Sequence, residues 1–304
     1  MSEALKLRAG RRAVEINRPD KVLFPEDGIT KADLAEYYRG VARKMLPHLH
    51  GRPLMLERHP DGIDGESFMQ KDVPDYFPDW VDTAELPKED GTVTHVLCDD
   101  TATLLYLAGQ ACITPHRWLA KADRPDCPDR LVFDLDPPDD DFAPVREAAA
   151  LAHELLDELR LPSVLMTTGS RGLHVIVPLD RRAPFDDVRA FAREAADLLA
   201  ARHDDRLTTE PRKQARHGRL YLDVQRNAYA QTTVAPYAVR ALPGAPVAAP
   251  LAWSELNEPG LTARRWTTST MSERLGDDPW QGALRRGRSL APARRRLAAL
   301  ADRG

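Results

Sequence analysis

The sequence predicts an α/β protein of the α+β kind: a ferredoxin-like, RRM-like βαββαβ core preceded by an N-terminal α/β lobe. Three observations predict it. Between Leu131 and Val224, strand-like and helix-like periodicities alternate in that order. The two helix-like segments there each carry one apolar side, as a helix covering a sheet must. The residues before about 125 hold their own mixture of short strands and amphipathic helices.

The elements follow from local signals. Thr30 with Asp33 makes a capping box, a short carboxylate replacing the usual Glu. Leu34, Tyr37, Tyr38, Val41 and Met45 then recur at helical spacing until Pro47. LMLER, HPDGIDG and ESFMQK read as two strands around a Gly/Asp turn, and THVLC runs into a helix over DDTATLLYLAGQ. KEDG at 88–91 fits the short KxDG pattern of nucleotidyl-transferring ligases, but Val93 stands where an arginine is expected, so it reads as a turn.

In the core, LVFDLD (131–136) is a strand. Residues 143–159 form a helix with Val145, Ala148, Ala152, Leu155 and Leu159 on one side. SVLMTT (163–168), a GSRG turn and LHVIVPL (173–179) make a hairpin; residues 185–202 form a helix and RLYLDV (219–224) a strand. A right-handed crossover sets the first two strands parallel with a gap between them. The hairpin sends the third strand into the gap, and the second crossover carries the fourth to the far side of the first. The strand of Asp134 and Asp136 then lies between the strand of His174 and the strand of Asp223.

A chain of 304 residues fits one large domain or two lobes, and 42% hydrophobic with 30% charged residues is the balance of a soluble globular enzyme. Cys98, Cys112 and Cys127 share no CxxC spacing, which argues against a disulfide scaffold or structural zinc site and for a reducing cytoplasm. The N-terminus has no apolar stretch of signal-peptide length, and the most apolar window, TATLLYLAGQACI, is too short and polar to span a bilayer. The net charge of −4 hides a segregation. Residues 206–226 hold six Arg or Lys against Glu210 and Asp223, and residues 281–304 hold seven arginines against Asp302. Such segments suit a polyanion partner, or simply a solvated surface.

Asp134 and Asp136, two apart on a strand, point to one face. Adjacent carboxylates repel, and a hard divalent cation, Mg²⁺ or Mn²⁺, relieves them. Asp223 adds a third from the neighbouring strand. Three carboxylates can hold two metals ~3.5–4 Å apart, the arrangement for in-line displacement at phosphorus. The plainer reading of DLDPPDDD is an acidic strand-to-loop turn. The loop TTGSRGLH offers Thr168, Ser170, Arg171 and two glycines to an anion, with His174 following on the strand edge. It is not a Walker loop, and alone it would be an ordinary hairpin turn.

These residues resemble a family. RLVFDLDP, TTGSRGLHVIVPL, GRLYLDVQRN, TTVAPYAVR and PGAPVAAPLAWSEL are similar to the polymerase domain of bacterial ligase D, of the archaeo-eukaryotic primase superfamily. DKVLFPEDGITKADLAEYYRGVARKMLPHLHGRPL and DGIDGESFMQKD extend the likeness from about Asn17 to Trp280. The resemblance implies one primase-polymerase domain over 10–280, with an N-terminal lobe of about 10–125, a catalytic core of about 126–280, and a basic Arg/Ala tail over 281–304. It assigns Asp134, Asp136 and Asp223 to catalysis and metal. It assigns His116, Thr168, Ser170, Arg171, His174 and Arg240 to the nucleotide, and Lys21, Lys31, Phe68 and Lys71 to DNA. Met69 replaces a second aromatic, and Glu57 stands where a lysine of a 5′-phosphate pocket is expected. That carboxylate would face the phosphate or pair with Lys21 or Lys31, unless Arg58 fills the role.

The implied activity is template-dependent addition of nucleotides to a primer 3′-OH at short gaps or broken ends, in DNA repair by end joining. The implied cofactors are two Mn²⁺ or Mg²⁺ ions, with nucleoside triphosphates as substrates and ribonucleotides and manganese favoured. The expected protein is a stand-alone monomer in the cytoplasm, nucleoid-associated and away from membranes, with gapped or broken DNA, Ku and a separate ATP-dependent ligase as partners. A metal-dependent nuclease or phosphodiesterase would also cluster carboxylates but would not need the triphosphate loop and Arg240. A non-catalytic DNA-binding module has no reason to hold three carboxylates against a phosphate backbone.

Overall fold

Capping, turn and alternation signals reappear as elements in the computed structural model, which describes residues 3–137, 139 and 141–302. Pro138 and Asp140 of the acidic stretch and Arg303 of the tail lie outside the described residues. In chain order the first elements are β1 Leu5–Ala9, β2 Arg12–Ile16, β3 Val22–Phe24, β4 Ile29–Thr30, α1 Lys31–Leu49, β5 Leu54–Arg58, β6 Phe68–Gln70, β7 Thr83–Lys88, β8 Gly91–Val96, α2 Thr101–Gly109 and β9 Cys112–Trp118. There follow β10 Arg130–Asp136, α3 Ala143–Glu158, β11 Val164–Thr167, β12 Leu173–Pro178, α4 Phe185–Arg202, β13 Leu207–Thr208, β14 Leu220–Asp223, β15 Thr232–Val234, β16 Pro250–Leu251 and α5 Leu290–Ala301. The chain packs as two units, Met1–Asp123 with Thr232–Ala249 and Trp266–Asp277, and Arg124–Gln231 with Pro250–Arg265 and Asp278–Gly304.

In the first unit, Thr30 caps α1. Its hydroxyl accepts from the Asp33 N–H at 3.2 Å, and the Asp33 carboxylate accepts from the Thr30 N–H at 2.8 Å. The buried stripe Leu34, Ala35, Tyr38, Val41, Ala42, Met45 and Leu49 follows the helical period. The helix does not stop at Pro47 but runs to Leu49. A proline in the last turn costs one backbone hydrogen bond where the helix is already ending. The hairpin β1–β2, which local sequence signals do not mark, buries Leu7, Ala9, Val14 and Ile16. β15, β9, β5 and β6 form a four-stranded sheet. The KEDG segment is the turn of the β7–β8 hairpin, pairing Lys88 with Gly91.

In the second unit the expected core appears. Its six-stranded sheet has the order β13-β14-β10-β12-β11-β16. β12 lies antiparallel between β10 and β11, and β14 is antiparallel to β10 on its other side. α3 and α4 pack on each other and on β10. Leu131, Phe133 and Leu135 alternate with Asp134 and Asp136, so the helices cover the apolar face and the carboxylates hold the opposite one. The short edge strands β13 and β16 extend the core beyond four strands.

The basic tail is part of the second unit. Leu290, Ala293 and Leu297 of α5 are buried, and α5 packs on α4. Arg288 bridges to Leu179, with its N–H donating to the Pro178 carbonyl at 2.9 Å. Arg294 and Arg296 donate to the carbonyls of Asp187 and Leu159. Arg285, Arg286, Arg288 and Arg295 stay exposed. Changing those four to Gln is expected to flatten the dependence of DNA binding on salt, by up to ~0.9 in log–log slope for each phosphate no longer neutralised. Anisotropy titrations over a salt series check this, and an unchanged slope assigns α5 to packing alone. Cutting the chain after Trp280 is the poorer test, since it would bare the α4 face that α5 covers. No helix among the described residues is long and apolar enough to cross a membrane, and the three cysteines are buried thiols.

Candidate active site

Strand register brings the central residues together. Asp134 of β10 stands opposite His174 of β12 on one side and Asp223 of β14 on the other. Asp136 stands opposite Tyr221. Three sequence segments spread over about ninety residues thus share one face of one sheet. Asp134 is buried at 8% exposure, and its Oδ1 lies 3.3 Å from Nε2 of His174. The His174 ring and the Arg226 guanidinium hold its carboxyl below the usual range against the opposing effect of burial. Asp136 and Asp223 are pushed the other way, first by lost hydration and then by the charge of Asp134.

The loop after β11 is folded on itself. The Thr168 hydroxyl accepts from the N–H groups of Gly172 and Ser170 at 3.1 and 3.3 Å. Gly172 lies so close to β10 that a Cβ there would stand 2.0 Å from the Leu135 carbonyl oxygen and 2.6 Å from Oδ1 of Asp136. The loop is thereby pressed against the carboxylates. Arg171 reaches over to the carbonyls of Pro137 and Asp139 at 3.1 and 3.4 Å, and its charge acts on Asp136. Arg264, which no sequence motif singles out, donates to the Ser170 carbonyl at 2.8 Å. Arg171 and Arg264 border an open cavity of about 230 Å³ with Pro137 and Phe142. Nδ1 of His174 is buried with no hydrogen-bond partner among the described residues.

The donor set is all carboxylate oxygen, and its members are crowded enough for two of them to be raised by burial and mutual repulsion. That chemistry fits a hard divalent cation. As placed, no three His, Cys, Asp or Glu side chains among the described residues converge tightly enough to hold a metal ion, and Asp134 faces His174 and Arg226.

His116 and Arg240 belong to the first unit, with Glu57. Glu57 does not join Lys21 or Lys31, which corrects the expectation from sequence. Its two oxygens take Nε2 of His59 at 3.2 Å and Nε2 of His116 at 3.0 Å, and Arg240 adds a favourable charge. Despite burial, these partners hold its carboxyl far below the usual range. On β5 the residues at 57 and 58 take different surroundings. Arg58 hydrogen-bonds Gln70 and Tyr76 at 2.6 and 2.7 Å and lies 5.2 Å over the Phe68 ring. Arg58 is also among the cations that, after burial itself and with Arg18 and Lys21, bring Lys31 down to about 8. Lys31 donates to the Asn17 carbonyl, and Lys21 pairs with Asp61 at 2.5 Å. Arg18, Lys21, Lys31 and Arg58 are therefore close enough for the charges of the other three to act on Lys31. Phe68 and Met69 are exposed at 44% and 46%, and Lys71 follows them at the surface.

Residues 30–280 match the family model described as LigD, primase-polymerase domain. The multifunctional non-homologous end joining protein LigD of Mycobacterium bovis is 34% identical over 262 residues, 83% of this chain and 34% of that protein. LigD of Pseudomonas aeruginosa is 34% identical over 296 residues, 95% of this chain and 35% of that protein. The bifunctional LigD of Bacillus subtilis is 34% identical over 260 residues, 84% of this chain and 41% of that protein. The chain thus spans about a third to two fifths of the length of these curated relatives. Among solved structures, the polymerase domain from Mycobacterium tuberculosis ligase D in complex with DNA matches with a TM-score of 0.83 at 33% identity, covering 88% of this chain and 95% of that one. With its own βαββαβ sheet carrying the carboxylates where the motifs predicted them, the chain belongs to the LigD primase-polymerase domain family and is a polymerase-type nucleotidyltransferase.

Proposed function

We propose that this chain adds nucleotides to a primer 3′-OH at gaps and broken ends of DNA. The observation that supports it best is the register that sets Asp134, Asp136 and Asp223 beside the loop of Thr168 to Gly172. Asp134, Asp136 and Asp223 would hold two divalent ions, Mn²⁺ or Mg²⁺. Bound there, the ions supply the positive charge that acidifies the 3′-OH and offsets the triphosphate and the leaving pyrophosphate. The protein's own part is positioning and electrostatics. Arg171 and Arg264 would hold phosphate oxygens, and Nδ1 of His174, without a hydrogen-bond partner among the described residues, would donate to one of them. His116 and Arg240 are proposed nucleotide contacts of the first unit, with Glu57 orienting the His116 ring. Phe68 would stack on a base, with Lys71 near the backbone. The cluster of Arg18, Lys21, Lys31 and Arg58 would take a 5′-phosphate downstream of a gap. We place the protein in the cytoplasm at the nucleoid, as a monomer working in end joining with Ku and an ATP-dependent DNA ligase.

The test is an assay on primed DNA with a short gap, with and without divalent ion, with rNTP and dNTP, and with 5′-phosphate or 5′-OH downstream. Ion-dependent extension is expected, greater with rNTP and with Mn²⁺. Shortening of the strand would assign a nuclease, and binding without either would assign a module. The same assay has a pH arm. Lys31, with its pKa near 8, loses its charge as pH rises through that value. Affinity for the 5′-phosphorylated gap is expected to fall roughly tenfold per pH unit above it, while affinity for the 5′-OH gap holds. A preference that stays constant to about pH 9.5 would place the 5′-phosphate away from Lys31.

A further inference from the structure

Both oxygens of Asp134 face cationic or proton-bearing neighbours. Nε2 of His174 stands 3.3 Å from one, and Nε of Arg226 stands 3.5 Å from the other. The two sides of the second pair differ in burial, because the Arg226 side chain is 46% exposed and that of Asp134 is 11% exposed. Arg226 therefore reaches in from solvent over a buried carboxylate. Its backbone sits on the 3₁₀ turn Gln225–Asn227 that follows β14. That turn is pinned on both sides. The Gln225 N–H donates to Asp223 at 2.7 Å, and the Asn227 side chain clamps Val132 of β10, accepting from its N–H at 2.9 Å and donating to its carbonyl at 2.7 Å.

A guanidinium carries a positive charge. A divalent ion bound by Asp134 would compete for the same oxygen and meet that charge at close range. At 3.5 Å the contact is long for a hydrogen bond, and the arm has water to turn into, so it is one that can be given up.

We propose that Arg226 is a tethered cation that competes with the divalent ion for Asp134 and so sets the ion concentration the site requires. The proposal rests on the reading of Asp134, Asp136 and Asp223 as metal ligands. Without an ion, Arg226 partners the Asp134 carboxylate that stands between Asp136 and Asp223 in the set. When an ion binds, the arm swings out, and the work of releasing it is subtracted from ion affinity.

The experiment is Mn²⁺ uptake by the full chain without nucleotide or DNA, read from the electron paramagnetic resonance signal of unbound Mn²⁺. Wild type is compared with Arg226→Gln, Arg226→Ala, Arg226→Lys and Asp134→Asn, each checked for folding by its melting curve. Both charge-removing variants are expected to bind Mn²⁺ roughly tenfold or more tightly, the size of effect a unit charge has at this range. Arg226→Lys, which keeps the charge, is expected to stay near wild type, and Asp134→Asn to lose uptake. Unchanged or weaker uptake by Arg226→Gln and Arg226→Ala, with Asp134→Asn still reduced, overturns the proposal and leaves the metal site standing. Full uptake by Asp134→Asn, or none by any variant, removes the metal-ligand reading and the proposal with it.

Discussion

Asp134→Ala or Asp223→Ala is expected to abolish nucleotide addition, by ~10³-fold or more, while DNA binding and the fold remain. The two residues are opposite one another on neighbouring strands, so either substitution breaks the same set of ligands. In Asp134→Ala the buried His174 loses the partner of its Nε2, a cost of about 1–3 kcal/mol that leaves the domain folded. Arg226 is half exposed and returns to water, and the apolar face of β10 is untouched. Asp136→Asn should abolish addition too, and it should raise the melting temperature at neutral pH. The sign follows from linkage. The folded-state pKa of Asp136 is raised by lost hydration and by Asp134. Such a group helps the fold below its unfolded value and loses that help as pH rises through the folded one. At neutral pH the charge is therefore a cost that Asn removes, and the gain fades at acid pH where the carboxyl is protonated. Extension assays, anisotropy and melts over a pH series check these outcomes. Near-normal extension by Asp223→Ala would end the three-carboxylate scheme.

Gly172→Ala is expected to lower addition by ~10²-fold or more with the protein still folded. The added methyl would meet the Leu135 carbonyl at 2.0 Å, a backbone atom of the strand that bears Asp134 and Asp136. No side chain can rotate away to make room. The loop must lift from β10, carrying Ser170 and Arg171 with it. Gly218→Ala is the control: its backbone has φ +79°, but nothing lies within 4 Å of the new Cβ. It should cost about 1 kcal/mol of left-handed strain and leave addition alone. If both variants extend primers equally well, the close packing of the loop does not matter to the reaction.

The order of the core and the meeting of its three motifs were legible without coordinates. Each core element is long enough to show its period, and the handedness of crossovers leaves one arrangement for βαββαβ. From that, the neighbours of Asp134 follow by register alone. The Thr30–Asp33 cap and the KEDG turn were legible because they are made within four residues. The hairpin β1–β2 carried an alternation of Leu7 and Ala9, then Val14 and Ile16, that the arginines between them obscured.

Other features depended on contacts between residues distant in the chain, and no local pattern encodes those. Glu57 was expected near the lysines because of its place in a motif, but its partners are His59 and His116, the latter 59 positions away. A strand fixes which side a residue takes only once its sheet neighbours are known. Arg226 read as one charge among six, and it became a partner of Asp134 only when β14 paired with β10, across a separation of 92 residues. The tail read as loose positive charge. Its composition was right, but Leu290, Ala293 and Leu297 needed the surface of α4 to show that it is a docked helix. In each case the sequence specified the chemical group, and folding specified which opposite charge or apolar surface that group would meet.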